Sequence, residues 1–127
     1  MSKAHVTRTD ESGQTMVEMA IVLPVLLVVL IGIVQFGIAF NNYLTLTDAA
    51  RAGARKAVVA HDAGACVSQV QSSASDLKQS DLTVSCSSSW QHGADVTVNA
   101  TYPYSLNVLG VVVANGKLSV TTTERVE

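Results

Sequence analysis

The hydrophobic residues of the chain are concentrated in one block near its N-terminus. From Met19 to Phe40, 22 residues carry no charge, and Gln35 is the only strongly polar side chain among them. As an α-helix this block would be about 33 Å long, close to the ~30 Å hydrocarbon thickness of a bilayer. The pattern predicts a single membrane-spanning helix. Pro24, Gly32 and Gly37 within it either serve helix packing or reflect ordinary membrane-helix composition.

The helical periodicity continues beyond the apolar block. In this part the polar residues fall on one side of the predicted helix and the apolar residues on the other. Small and apolar residues recur at helical spacing in this part of the chain: Tyr43, Leu44, Ala49, Ala50, Gly53, Ala54, Ala57 and Val58. Charged residues fall largely on the remaining surface, where Asp48 and Arg51 are close enough for a weak pair. We expect one helix from about Thr15 to Val59, which the His61-Asp62-Ala63-Gly64 segment ends.

The second half of the chain changes from helical to alternating periodicity. A short second helix is predicted from Ala65 to Leu77, although its serines are weak helix formers. Apolar and polar residues then alternate over residues 82–87 and 96–102, which predicts two strands. Trp90-Gln91-His92-Gly93 is the expected hairpin connection between them, and Pro103 is expected to end the second strand.

The C-terminal segment allows two interpretations. Leu106 to Val113 fits either a buried helical turn or a strand, and Asn115-Gly116 fits either a helix C-cap or a two-residue hairpin turn. A final strand is expected from Leu118 to Thr123. Helices followed by strands indicate an α+β fold, in which a three- or four-stranded antiparallel sheet packs on the amphipathic half of the first helix.

Composition narrows the class of protein. The 127 residues allow one small domain in addition to the membrane helix. The charged fraction is 14% and the formal net charge is −2. The positive residues are scattered, and a phosphate backbone requires a concentrated basic surface, so we expect no nucleic-acid partner.

Both cysteines, Cys66 and Cys86, follow the apolar block. In an extracytoplasmic domain they would form a disulfide that closes roughly twenty residues and adds ~3 kcal/mol. In a cytoplasmic domain they would be two buried free thiols. Charge does not decide between these orientations, because two positive residues precede the apolar block and three follow it closely.

An enzymatic function is not expected. His5, His61 and His92 show no metal-ligand spacing with one another or with the two cysteines. The chain also lacks a glycine-flanked nucleophile and a phosphate-binding glycine loop. We therefore expect no catalytic residue, metal, cofactor or small-molecule substrate.

Two further patterns have structural interpretations that we favour. Asn99-Ala100-Thr101 matches a glycosylation acceptor, but we strongly favour its interpretation as the polar face of a strand. Trp90, Tyr102 and Tyr104 could form an exposed adhesive patch, whereas packing in the core and hairpin is the favoured alternative.

The N-terminal edge of the apolar block has the sequence Gly13-Gln14-Thr15-Met16-Val17-Glu18, in which a small residue precedes a lone carboxylate. This pattern resembles a prepilin cleavage site. The residues Met19-Ala20-Ile21-Val22-Leu23-Pro24, Gly32-Ile33-Val34-Gln35-Phe36-Gly37 and Asp48-Ala49-Ala50-Arg51-Ala52-Gly53-Ala54-Arg55 follow in order. Together these segments resemble the TadE-like pseudopilins, or minor pilins, of the tight-adherence (Flp-type IVb) pilus system. The chain differs from the family at Met19, where an aromatic residue is common, and at Gln35, where an acidic residue is common.

The resemblance implies three parts: a prepilin leader (residues 1–13, expected to be disordered), a transmembrane and assembly helix (14–42) and an extracytoplasmic, pilin-like head (43–127). A prepilin peptidase would cut between Gly13 and Gln14. Glu18 would then neutralise the new amino group of Gln14 in its own chain or in a neighbour. Otherwise Glu18 is an interfacial carboxylate that reaches water.

The resemblance also implies a function in assembling or priming a pilus for adhesion, biofilm formation and surface attachment. The implied partners are prepilin peptidase, other pilins or pseudopilins and the pilus assembly platform. The implied location is the bacterial inner membrane, with the N-terminus cytoplasmic, followed by the pilus or cell surface. The alternative is a single-pass, membrane-tethered binding domain that is not incorporated into a pilus.

Overall fold

The computed structural model describes residues 9–127, so positions 1–8 of the expected leader lie outside the described residues. The described chain has two helices followed by three strands. They are α1 (Thr9–Ala60), α2 (Ala63–Ser73), β1 (Thr83–Ser87), β2 (Asp95–Val108) and β3 (Val111–Arg125). This architecture confirms the predicted α+β fold and its element order.

Helix α1 begins at Thr9, six residues before the predicted start, and continues without a break through Pro24 to Ala60. Residues 9–13 are therefore helical, and the expectation of a disordered leader is wrong for them. The physical reason is that extending an existing helix costs far less than starting one. No proline occurs between Thr9 and Gly13 to stop the extension.

The core lies on the upper half of α1. Fifteen hydrophobic residues from α1, α2, the strands and the C-terminus are buried: Leu46, Ala49, Ala50, Ala54, Ala57, Cys66, Val70, Ala74, Leu77, Leu82, Val96, Val98, Ala100, Val120 and Val126. Asp48, Arg51, Arg55 and Lys56 are exposed on the opposite side. The predicted amphipathic half is thus confirmed, and the alanines allow α2 and the sheet to approach α1 closely.

The first helix ends where the sequence predicts. His61 has a φ of 53°, which turns the chain out of the helix. Asp62 then caps α2, because its carboxylate accepts hydrogen bonds from the backbone N–H groups of Gly64 (3.2 Å) and Ala65 (3.0 Å). Helix α2 ends at Ser73, four residues before the predicted end. Its serine hydroxyls, such as that of Ser72, donate to carbonyls four residues earlier, which weakens a helix.

The three strands form one antiparallel sheet in the order β1-β2-β3. Thr83 pairs with Thr101 at one end of the β1–β2 ladder, and Ser87 pairs with Thr97 at the other. The segment Trp90–Gly93 lies between these two strands, as predicted. The C-terminus is held against this connection, because Gly93 N–H donates to the Val126 carbonyl at 2.8 Å.

Strands β2 and β3 are longer than predicted. Pro103 was expected to end β2, yet the strand continues to Val108. Strand β1 pairs with β2 only as far as Thr101, so Pro103 lies where β2 has become an edge strand, a position that accepts proline.

The ambiguous C-terminal segment is a strand, and both interpretations of Asn115-Gly116 are wrong. These two residues lie inside β3, opposite Ser105 and Tyr104. The turn is instead at Leu109-Gly110, whose φ values of 51° and 84° suit a tight two-residue hairpin. Beyond the end of β1, β2 and β3 form a two-stranded projection, residues 103–117, which we call the distal hairpin.

Candidate functional site

The predicted cleavage site lies on the exposed N-terminal part of α1. Gly13, Gln14 and Glu18 are all exposed. The Gln14 amide Nε2 donates to the Glu18 carboxylate Oε1 at 3.5 Å, across one turn of the helix. A Cβ atom added at Gly13 would have no other atom within 4 Å. The Glu18 carboxylate is therefore close to residue 14, and a cation from outside the helix can still reach it.

Most side chains of the apolar block of α1 have no partner within the described chain, and only its last part, from Gln35 to Phe40, lies beside the sheet. Large hydrophobic residues from Met16 to Phe40 are exposed, for example Ile21 (65%) and Phe36 (66%). By length and composition α1 can cross a membrane, and no residue of its most apolar 18-residue window is buried. In water this surface would be strongly unfavourable, so it requires lipid or other apolar helices.

Pro24 and Gly37 lie on this exposed surface, and Gly32 is half-buried. A Cβ atom at Gly32 or Gly37 would have nothing within 4 Å. Both glycines thus leave space for close approach of another helix, and their role in helix packing stays a prediction.

Cys66 and Cys86 form a disulfide that joins α2 to β1, with their Cα atoms 6.4 Å apart. The bond is the pairing expected for an extracytoplasmic head, and the alternative of two free thiols does not describe this structure. Residue 46, where the core begins, is about 42 Å along α1 from Glu18 at 1.5 Å per residue. The cleavage site and the disulfide therefore belong to opposite ends of the molecule.

The aromatic residues and Asn99, which the sequence offered as possible surface sites, make contacts within the fold. Trp90 and Tyr102 are half-buried and pack against the core, which favours the packing interpretation over an adhesive patch. Asn99 lies in β2, where its Oδ1 accepts a 2.6 Å hydrogen bond from the Thr121 hydroxyl on β3. Among the described residues, no group of three or more His, Cys, Asp or Glu side chains is placed to hold a metal ion.

The sequence interpretation missed the distal hairpin and its position beside α1. Phe36, Ala39 and Tyr43 of α1 line a groove with Tyr104 and Leu106 of the hairpin. A signal was present in the sequence, because no charged residue occurs from Val96 to Gly116. So long an uncharged stretch is unusual for the surface of a water-soluble domain.

Comparison with known proteins finds a family match for about a third of the chain, in its N-terminal part. Residues 13–55 match the family model of TadE-like proteins. No curated protein and no solved structure matches the chain. The match confirms the resemblance predicted from the sequence and relates the chain to the tight-adherence pilus system. It covers the cleavage-site pattern, the apolar block and the first part of the core face of α1.

Proposed function

Residues 13–55 are TadE-like, and from this premise we propose that the chain is a minor pilin or pseudopilin of a tight-adherence pilus. In this proposal α1 holds the protein in the inner membrane, with the N-terminus cytoplasmic and the head extracytoplasmic. A prepilin peptidase cuts between Gly13 and Gln14, and the mature chain then joins or primes a pilus. The main support is the exposed Gln14–Glu18 pair at the N-terminal edge of an apolar block whose large side chains are mostly exposed.

The apolar block supplies the driving force for assembly. In the membrane it is covered by lipid, and in a filament it would be covered by the equivalent helices of neighbouring subunits. Because lipid tails are as apolar as leucine, the gain on assembly would come from close packing rather than from a hydrophobic effect. The open surfaces at Gly32 and Gly37 are suited to such packing.

Cleavage requires local opening of α1. The bond between Gly13 and Gln14 lies inside the helix, and a peptidase needs an extended backbone at the bond that it cuts. Glycine lowers the cost of opening, since it is about 1 kcal/mol less favourable than alanine in a helix. Its missing side chain also leaves the backbone accessible to the enzyme.

Cleavage would place a new amino group on Gln14, one turn from Glu18. A carboxylate at the centre of a bilayer costs roughly 2.5–3.5 kcal/mol, and less near the interface, so pairing with an ammonium group would offset part of that cost. The pair can form within one chain or between a chain and its neighbour. A free N-terminal glutamine can cyclise and lose its amine, so the mature Gln14 is expected to be uncyclised or N-methylated.

The disulfide supports the proposed orientation. Disulfides persist in oxidising compartments and are rare in the cytosol, so a Cys66–Cys86 bond is consistent with an extracytoplasmic head. Neither a catalytic role nor a cofactor is part of the proposal.

Mass analysis of the N-terminus in membrane and pilus fractions tests the proposal. The expected mature chain begins at an uncyclised or N-methylated Gln14 and is recovered with other pilus components. Glu18→Ala is expected to impair processing, assembly or surface appearance. Asp48→Ala is the matched control, because Asp48 is an exposed acid on the same helix whose ion pair with Arg51 is long, at 4.0 Å. An intact leader in every fraction, or a Glu18→Ala variant that behaves like the control, would favour the membrane-tethered binding domain.

A further inference from the structure

The tip of the distal hairpin is a second exposed apolar surface, separate from α1 in sequence. Leu109 is 75% exposed, Val111 and Val113 are each 66% exposed, and Val112 is 54% exposed. No charged residue lies between Val96 and Gly116, and Lys117 marks the base of the hairpin. Four large apolar residues exposed within five positions at one tip are too concentrated for an ordinary water-facing turn.

The hairpin runs back along α1 toward the apolar block. Its base contacts two sides of the helix: one groove includes Phe36 and Tyr43, and the other includes Gln35 and Asn42. Tyr104 and Leu106 line both grooves. Along β2 the neighbours on α1 thus change from the core residues after Leu46 to residues 35–43. The tip, beyond Leu106, is directed toward still earlier residues of α1.

The exposure pattern of α1 agrees with this direction. Residues 21–30 are all exposed, whereas Ile31, Gly32, Gln35, Ala39 and Asn42 are half-buried. These five positions recur at spacings of one, three and four residues, so they lie on one face of the helix. Three of the five, Gln35, Ala39 and Asn42, line the grooves between α1 and the base of the hairpin.

We propose that the tip of the distal hairpin inserts into the outer face of the lipid bilayer that α1 spans. The occupant is lipid because the exposed tip is uncharged, apolar and directed along the same helix toward its lipid-facing block. Tyr104 and Lys117 at the base are residue types that anchor proteins at a membrane interface, the lysine by extending its ammonium group to water. The inference rests on the proposed membrane placement of α1.

The unpaired edges of the distal hairpin limit how deeply it can insert into the bilayer. Strand β1 ends its pairing at Thr101, so in the distal hairpin β2 and β3 pair only with each other. The unpaired backbone groups on their outer edges cannot enter the hydrocarbon without a large cost, since no water is present there to bond them. The tip therefore lies at the boundary between headgroups and acyl chains, with its valine and leucine side chains toward the acyl chains.

Site-specific fluorescence in vesicles tests the inference. The full chain with Leu109→Cys is labelled with an environment-sensitive fluorophore and reconstituted into vesicles of phosphatidylcholine and phosphatidylglycerol that contain lipids spin-labelled near the headgroup. His92→Cys is the matched control, because His92 is exposed in the connection at the other end of β2. Leu30→Cys, with spin labels placed deep in the acyl chains, reports whether α1 itself is inserted. One free thiol per labelled chain verifies that Cys66–Cys86 remains intact.

The expected result is a loss of fluorescence at position 109 with shallow spin labels, a loss at position 30 with deep spin labels, and no loss at position 92. Quenching at position 30 but not at 109 would overturn the hairpin inference and leave the membrane span intact. A label at 109 that is shielded from aqueous iodide but unaffected by spin-labelled lipid would also overturn it, in favour of a contact between copies of the chain. An unquenched label at position 30 would refute both the span and the inference that rests on it.

Discussion

Gly53 determines how closely the two helices approach. It is buried at the α1–α2 contact, where an added Cβ atom would overlap Cγ2 of Val70. The same atom would lie 3.2 Å from the carbonyl oxygen of Cys66, which belongs to the backbone and has little freedom to move. The absence of a side chain at position 53 therefore allows the helices to pack at this distance.

Gly53→Ala is predicted to destabilise the head. Overpacking a well-filled core costs typically ~1–3 kcal/mol, which exceeds the gain of up to ~1 kcal/mol from better helix propensity. Thermal unfolding of the full chain in detergent, followed by circular dichroism, measures the change. Gly37→Ala is the control on the same helix, because a Cβ atom there contacts nothing within 4 Å. Equal unfolding temperatures for the two variants would contradict this account of the packing.

At the scale of elements, the disulfide connects α2 to an edge strand of the sheet. Strand β1 has five residues and pairs only with β2, so few hydrogen bonds hold it. The bond between Cys66 and Cys86 joins residues 20 apart in sequence and thereby ties β1 to the helical layer. In the unfolded chain the same bond closes a loop and so reduces the conformational entropy. In the chain-entropy model this loss of entropy is the main way in which a disulfide stabilises the folded state.

Reduction of the disulfide is predicted to lower the free energy of unfolding by about 3 kcal/mol. Chemical denaturation of the full chain in detergent, with and without reductant, measures the difference. The double variant Cys66→Ser, Cys86→Ser is the control, because reductant has no bond to break in it. A wild-type chain as stable in reductant as without it would show that the helical and sheet contacts alone hold β1.

The elements differ in how far the sequence predicted them. Helix α1, the stop at His61 and the start of the sheet follow from periodicity and local residue types, and the structure confirms them. The long β2–β3 pair does not follow from such local features. Whether Pro103 ends a strand depends on whether β1 is still paired beside it, which is a nonlocal fact. Asn115-Gly116 is a strong turn signal in isolation, yet its pairing with Tyr104 and Ser105 places it in a strand.

The candidate site was predictable in part. The even number of cysteines predicted the Cys66–Cys86 pair, and the structure confirms it. The cleavage-site pattern is local, so the sequence alone suggests Gly13, Gln14 and Glu18, whose roles stay a prediction. The membrane-directed face of the distal hairpin could not be identified, because it depends on where the sheet places residues 103–117 relative to α1. A turn at Leu109, whose positive φ is unusual for leucine, has no strong local signal.

The whole molecule consists of two regions that obtain their stability from different surroundings. All the buried residues of the described chain occur from Leu46 onward, whereas the large hydrophobic residues before it are exposed, apart from the half-buried Ile31. The head is therefore stabilised by its own core. The apolar block is stabilised by the lipid or the other helices that surround it. This separation is what a subunit needs if it is to leave lipid for a filament without unfolding its head.

Two leucine-to-alanine variants of α1 test this separation. Leu46→Ala removes a fully buried side chain and is predicted to cost the head about 2–5 kcal/mol, since it leaves a cavity. Leu30→Ala makes the same chemical change where the side chain is 49% exposed, and it is predicted to leave the unfolding of the head unchanged. Denaturation of both variants in detergent, followed by the fluorescence of Trp90 in the head, gives the comparison. If both variants lost a similar amount of free energy of unfolding, the stability of the head would depend on the apolar block. The block could then not move from lipid to a filament without affecting the head.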